Sequence, residues 1–299
     1  MELRLKKTEL RANEYPKNKE EIFLIDLINK ETNKLMDDLG VQSFDIPERN
    51  FHIIPSKLCA KYFDNTSAGV ASYDVQAIAL NADDVRRHLI VFASVAFHEA
   101  LHLKVKQVMQ VRELDDDLKK DFYRTGITVY SPNTSNENKK FHSHFRGLHE
   151  AVIANEQKKF VKKLMEMEMF SDAKEWMQSG VVAEEKLEMW KKQKIFADDI
   201  YYTNKAENIF AKIGYRQQRE VLLYVCNEIA SDSGVSGEDV EKEFLKANFS
   251  GRLIPVAKLV EDSFGKGSFR ELGNLGIDDN SAINTLEALK KFRLRKVKK

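Results

Sequence analysis

The chain has 299 residues, of which 42% are hydrophobic, which is enough apolar material for one large domain or for two lobes. Its 48 basic and 47 acidic side chains leave a net charge of +1, which excludes a strong overall field for attracting nucleic acid or an anionic membrane. The two cysteines, Cys59 and Cys226, are too few and too far apart for a disulfide framework or a thiolate zinc site.

The first half of the chain mixes helical and extended patterns. An amphipathic helix is predicted over residues 18–39, ended by Gly40, and a short strand over residues 51–55. Residues 68–81 contain two extended segments separated by a turn at Tyr73, and a long helix follows from residue 83 to residue 111. This order predicts an α+β lobe with a small mixed sheet.

The segment 83–111 holds the sharpest chemical signal, the motif HEALH at residues 98–102. Residues four positions apart lie on one face of a helix, so His98 and His102 can reach the same metal ion. Glu99 lies about 100° round the helix, where its carboxylate can deprotonate a metal-bound water. The flanking residues are apolar, and burying these polar groups is costly unless they are paired or bind a metal. The motif therefore predicts a Zn²⁺ site of the HExxH metalloprotease type.

The second half has a different character. Residues 112–146 are predicted to form a hairpin or mobile loop, because charged and turn-forming residues alternate there. From residue 147 onward the pattern is helical, with segments at 148–170, 182–190, 191–200, 216–229, 238–247, 255–264 and 282–292. The basic C-terminal tail is interpreted as a solvated end. The predicted organisation is an N-terminal lobe at 1–111, a loop over the cleft at 112–146 and a helical lobe at 147–299.

A catalytic zinc site needs a third protein ligand. The spacing HExxHxxGxxH fails, because Val105 stands at the glycine position and Val108 at the position of the third histidine. A carboxylate from a later helix is the alternative, and Glu150 is the best candidate because it opens an apolar helical segment after a turn-rich loop. Its other interpretation is a carboxylate stabilised by the helix dipole. The fallback ligands are His149, Glu156, His142 and His144.

The motifs HEALH and HEAVIANE, together with the order of elements around them, resemble the gluzincin, or thermolysin-like, zinc metallopeptidases. The resemblance implies a zincin-like fold in which His98, His102 and Glu150 bind Zn²⁺ and Glu99 polarises water. Gluzincins often carry an acidic residue four positions after the ligand glutamate, where it orients a zinc histidine. Here that position is Ala154. The candidates to replace it are Asn155, Asp84, Ser94 and main-chain carbonyl groups.

A peptidase also needs a donor for the oxyanion of the tetrahedral intermediate. Tyr215, at the start of a predicted helix, resembles the transition-state tyrosine of gluzincins, and its other interpretation is half-buried packing. Tyr201 and Tyr202 are rival candidates. Arg219 is either an assisting group or, as the preferred interpretation, a surface charge.

The function predicted from these features is zinc-dependent hydrolysis of a peptide or protein substrate, with no nucleic-acid or membrane partner. The substrate is expected to add as a strand along an edge formed by residues 76–80. The alternative is a zincin-like scaffold without catalytic activity that acts as an interaction protein, a hypothesis that the alanine at position 154 favours. The N-terminus lacks an apolar signal segment, so a cytoplasmic location is expected.

Overall fold

The computed structural model of the chain describes residues 9, 12–63, 68–114, 117–132, 141–178, 199–204 and 209–297. Two compact units are present, each assembled from separated segments. The first contains Met1–Asp37, Gln42–Lys104 and Glu156–Gly214, and the second contains Asp38–Val41, Val105–Asn155 and Tyr215–Lys299. The three contiguous segments expected from the sequence, 1–111, 112–146 and 147–299, remain a prediction. The predicted α+β class is confirmed, since the described residues combine many helices with small sheets.

The first unit begins with the predicted amphipathic helix and a small sheet. Its elements are α1 Lys19–Asp38, β1 Phe51–Ile54, α2 Ser56–Tyr62, β2 Gly69–Ser72, β3 Ala77–Asn81, α3 Ala82–Val85 and α4 Leu89–Lys104. Leu24, Ile25 and Ile28 of α1 are fully buried, as the apolar face of an amphipathic helix should be. The positive φ of Gly40, 68°, follows the helix end predicted there.

The three strands form one mixed sheet in the order β1, β3, β2. Strand β3 is parallel to β1 and antiparallel to β2, so it lies in the centre of the sheet. The prediction that residues 76–80 form an edge is therefore wrong. The edge strand that packs against α4 is β2, because an added Cβ at Gly69 would meet Val95 and Glu99 of that helix.

The helix with the HEALH motif is shorter than the predicted 83–111. Asn81 caps the short helix α3 by accepting a hydrogen bond from the main chain of Asp83, and α4 starts separately at Leu89. The His88 imidazole accepts from the main-chain N–H of Ile90 at 3.2 Å and so caps the start of α4. The chain after Lys104 becomes a strand, because the alternating sequence QVMQV favours extended backbone.

The second unit contains a four-stranded antiparallel sheet and most of the later helices. Its strands, β4 Gln107–Leu114, β5 Asp117–Thr125, β6 Thr128–Pro132 and β7 Phe141–His144, pair in chain order where the prediction expected a hairpin or mobile loop. The helices that follow in this unit are α7 Arg216–Ser233, α8 Gly237–Ser250, α9 Ile254–Phe264, α10 Ser268–Leu272 and α11 Asp279–Val297. Whether the segment 112–146 covers a cleft stays a prediction.

Helix α5, Arg146–Leu164, belongs to both units, because the division falls after Asn155 in the middle of the helix. It is followed in the first unit by α6 Ser171–Gln178 and by a hairpin of β8 Ile200–Asn204 and β9 Ile209–Lys212. The hairpin was not predicted. The predicted helix 182–190 and most of 191–200 lie outside the described residues. Across the described part of the chain, no helix combines the length and apolar character that a membrane span requires.

Candidate metal centre

Helix α4 holds the two histidines of the motif in a nearly apolar environment. Ala96, Phe97, Ala100 and Leu101 beside them are buried, while His102 is 7% exposed and His98 is half-buried. The two Nε2 atoms lie 3.0 Å apart. Two nitrogens bound to one tetrahedral zinc at its usual bond length would lie about 3.3 Å apart. The one-turn spacing of the motif has therefore brought both nitrogens to a common point.

Glu150 joins these histidines from the first part of helix α5. Its side chain is 9% exposed. The metal-ligating atoms of His98, His102 and Glu150 all lie within 4.8 Å of one another, and no other group of three or more such residues occurs among the described residues.

The donor set fits a zinc ion. Two neutral imidazole nitrogens and one carboxylate oxygen are the protein ligands of many catalytic zinc sites, which leave a fourth position open. An all-oxygen site for calcium or magnesium would need several more carboxylate or carbonyl ligands. The grouping of the three side chains agrees with the predicted ligands, and the identity of the metal stays a prediction.

The start of helix α5 is fixed by contacts in the second unit. The main-chain N–H of Gly147 donates to Leu275 O at 2.8 Å, and an added Cβ at Gly147 would overlap the carbonyl oxygen of Gly276. His149 Nδ1 pairs with Asn248 Oδ1 at 2.7 Å. These contacts hold the first turn of the helix, and with it the backbone of Glu150.

The second half of α5 packs against α4 within the first unit. The rings of Phe97 and Phe160 stack with their centroids 4.0 Å apart. Gln157 Oε1 lies 3.1 Å from His98 Nδ1, and Gln157 Nε2 donates to the Ser94 carbonyl oxygen at 3.2 Å and to Ser94 Oγ at 3.0 Å.

Gln157 makes the histidine contact that the sequence prediction assigned to a replacement for the missing acidic residue at position 154. Ala154 is fully buried and carries no polar group. Among the predicted replacements, Asn155 donates to Glu241 at 2.8 Å, and Asp84 accepts from Asn81 at 2.8 Å. Ser94 does take part, through Gln157 rather than directly. The sequence prediction missed Gln157, although it follows Glu150 by seven residues, about two turns, on the same helix face.

Glu99 is 8% exposed and lies against strand β2. A Cβ added at Gly69 would lie 2.9 Å from Glu99 Cγ and 2.7 Å from Val95 Cγ1, so only glycine allows the strand to approach the helix this closely. The side chain expected to act as the base is therefore held directly beside an edge strand. Gly69 is a site residue that the sequence prediction did not identify.

The tyrosine candidates have different environments. Tyr215 precedes α7 in the left-handed conformation, with φ 56° and ψ 40°, an uncommon backbone state for a bulky residue that costs about 1–3 kcal/mol. Tyr201 is buried and hydrogen-bonds with Ser94, and burial raises the pKa of its phenol to about 12. The ring of Tyr202 lies 5.1 Å from that of His88. The role of Tyr215 stays a prediction. The preferred interpretation of Arg219 as a surface charge is wrong, because this residue is only 6% exposed.

The fallback ligands lie elsewhere. His149 pairs with Asn248, and Glu156 accepts from Lys159 at 2.7 Å. His142 and His144 lie on strand β7 with their ring centroids 4.6 Å apart. Burial and the neighbouring charges of His142 and Arg270 lower the pKa of His144. The positive side chain of Arg270 therefore already acts on this pair of histidines.

The chain was also compared with known proteins. Protein-family models, curated proteins and solved structures all gave no match. The interpretation of the centre therefore depends on the geometry of its own residues: three zinc-type donors, a buried carboxylate beside them and an amide that contacts one of the histidines.

Proposed function

We propose that the chain is a zinc-dependent metallopeptidase with a zincin-like arrangement of the gluzincin type, in which helix α4 supplies two ligands and helix α5 the third. One observation carries the proposal: donor atoms of His98, His102 and Glu150 lie within 4.8 Å of one another among buried apolar residues. Glu99, next to His98 in the motif, gives the centre a base that a purely structural zinc site does not need.

The reaction divides its tasks among these residues. Zinc, when bound, supplies a Lewis acid that lowers the pKa of water to near 7 and polarises a carbonyl group. The Glu99 carboxylate accepts a proton from the attacking water and donates it to the amine nitrogen as the C–N bond breaks, so that the leaving group departs as a neutral amine. The apolar residues of α4 exclude other water, which strengthens each electrostatic contact in the site.

Strand β2 offers the place where a peptide substrate binds. Asn81 N donates to Ala68 O at 2.9 Å, and in the same register Gly69 pairs with Leu80 and Ala71 with Ile78. Hydrogen-bonded and non-hydrogen-bonded pairs alternate in an antiparallel ladder, so the main-chain groups of Gly69 and Ala71 point away from β3. An extended peptide can pair with these groups while its scissile bond lies near Glu99. This edge replaces the predicted one at residues 76–80.

The scaffold alternative rested on the missing acidic residue at position 154. Gln157 now provides a hydrogen-bond partner for His98, which removes that argument. A scaffold would also have no use for a general base at Glu99.

Matched glutamate-to-glutamine variants test the proposal. Wild-type protein should hold about one zinc per chain and cleave a quenched fluorescent peptide mixture, with activity lost to a chelator and restored by zinc. Glu99→Gln should retain the zinc and lose about 10²- to 10⁴-fold in cleavage rate. Glu150→Gln should lose zinc affinity itself. Zinc binding without cleavage in the wild type would favour the scaffold, and an active Glu99→Gln enzyme would refute the mechanism.

A further inference from the structure

The hydrogen bonds around Gln157 determine which nitrogen of His98 carries the proton. Gln157 Nε2 lies 3.2 Å from the main-chain carbonyl oxygen of Ser94, a group that can only accept. The amide nitrogen must therefore face Ser94, and the amide oxygen must face His98. Because that oxygen can only accept, His98 Nδ1 must be the donor.

This assignment leaves the other nitrogen of His98 free of a proton. In a neutral imidazole with a proton on Nδ1, the lone pair is on Nε2. His98 Nε2 is the atom that lies 3.0 Å from His102 Nε2, at the point where the donors converge. The Ser94 carbonyl thus selects, through Gln157, the tautomer that a metal ion requires.

The contacts extend one residue further into the first unit. Ser94 Oγ accepts from Gln157 Nε2 at 3.0 Å and also hydrogen-bonds with the hydroxyl of Tyr201 on strand β8. Ser94, Gln157 and Tyr201 are all buried, with exposures of 0%, 7% and 6%. Each of these polar groups has a defined partner, so the amide is held in one orientation.

We propose that Gln157 is the positioning residue of the metal centre, holding His98 in the Nδ1–H tautomer before any metal binds, with Ser94 and Tyr201 fixing the orientation of its amide. The proposal rests on the metal centre of the proposed function but not on its peptidase activity. A neutral amide anchored by a main-chain carbonyl does here what a carboxylate does in many zinc sites.

The direct test is the tautomer of His98 in zinc-free protein. Long-range ¹H–¹⁵N correlation spectra of histidine-labelled protein, recorded above the titration of imidazole, distinguish the two tautomers for each of the seven histidines. Wild type should show His98 with its proton on Nδ1, and Gln157→Met should show a mixture or the Nε2–H form. An Nε2–H form of His98 in the wild type would overturn the proposal.

The second readout is zinc affinity, measured with Zn²⁺ alone in competition with a chromophoric chelator. Gln157→Met should bind zinc about 10- to 100-fold more weakly. Ser94→Ala should lose less, because the main-chain carbonyl still accepts from the amide. Unchanged affinity in Gln157→Met would overturn the proposal.

Gln218→Met is the matched control. Gln218 is 1% exposed, and its Nε2 donates to the main-chain carbonyls of Gly276 and Asp278 at 3.2 Å each, so the control removes a similar buried amide in the second unit. It should cost similar thermal stability in the zinc-free state and leave zinc affinity unchanged. Equal losses of affinity in the two variants would mean that Gln157 acts only through stability. Wild type that has the Nδ1–H tautomer but cleaves no peptide would refute the peptidase and leave the role of Gln157 intact.

Discussion

Replacing Gly69 by alanine is the sharpest test of the arrangement of β2 and α4. The new Cβ would lie 2.7 Å from Val95 Cγ1 and 2.9 Å from Glu99 Cγ, whereas carbon atoms in contact normally lie about 3.5–4.0 Å apart. The strand or the Glu99 side chain must therefore move by roughly 1 Å. Overpacking of this kind costs about 1–3 kcal/mol in the free energy of unfolding. A base displaced by about 1 Å can lose on the order of 10²-fold in rate.

The assay separates the rate from stability and from metal binding. We expect Gly69→Ala to lower kcat on a peptide substrate by about 10- to 100-fold while zinc binds as in the wild type, because the added methyl meets Val95, Glu99 and Leu80 first. Gly214→Ala is the control, since an added Cβ there has no atom within 4 Å and its stability should change by less than about 1 kcal/mol. Wild-type turnover in Gly69→Ala would refute the close approach of β2 to Glu99.

Three further predictions concern stability. Free zinc at about 100 times its Kd should raise the free energy of unfolding by about 2.7 kcal/mol. A thermal scan should show this as an increase in Tm that a chelator reverses, and Glu150→Gln should show no such increase. Gly126→Ala should lower the free energy of unfolding in urea by about 3 kcal/mol or more, because residue 126 has φ 57° and the added methyl group would overlap Asn248 Oδ1. Gly40→Ala is the control: its φ is 68° but the space around it is open, so it should cost only about 1–2 kcal/mol. Equal costs in the two variants would contradict the overlap. Burial raises the pKa of Tyr201 from its ordinary 10.0 to about 12, so the unfolded chain loses this proton first as pH rises. The free energy of unfolding should therefore decrease by about 3 kcal/mol between about pH 10 and 12. Urea unfolding of Tyr201→Phe at the same pH values should lack this decrease.

Local patterns in the sequence predicted the parts of the centre that depend on helix period. The spacing of His98 and His102 places both on one face of α4 in any helix, and Glu150 opens an apolar segment that a helix must bury. Gln157 was open to the same reasoning, because seven residues also return to the same face. The sequence prediction missed it because it named only Asn155, Asp84, Ser94 and main-chain carbonyl groups as replacements for the acidic residue, whereas an amide seven residues after Glu150 meets the same need.

Strand pairing was less accessible from the sequence. The apolar run of β3 is typical of a strand that is buried on both faces. Its pairing with β1 joins residues more than twenty positions apart, which no local pattern specifies. The β8 and β9 segments, IYYTN and IFAK, are rich in aromatic and β-branched residues and could have been recognised as a hairpin. The left-handed backbone of Tyr215 had no such signal, since tyrosine rarely adopts it.

The neutral Gln157 amide at His98 Nδ1 also affects which inhibitors should bind the proposed zinc centre. If zinc binds as proposed, the dication, two neutral imidazoles and the Glu150 carboxylate sum to a net charge of +1 when Glu99 carries the proton taken from water, and the Gln157 amide adds no charge. A carboxylate in place of the Gln157 amide would bring this net charge to zero. In surroundings this apolar, the remaining positive charge should favour anionic ligands, so hydroxamates and phosphonates are expected to inhibit more strongly than neutral chelating groups of the same size.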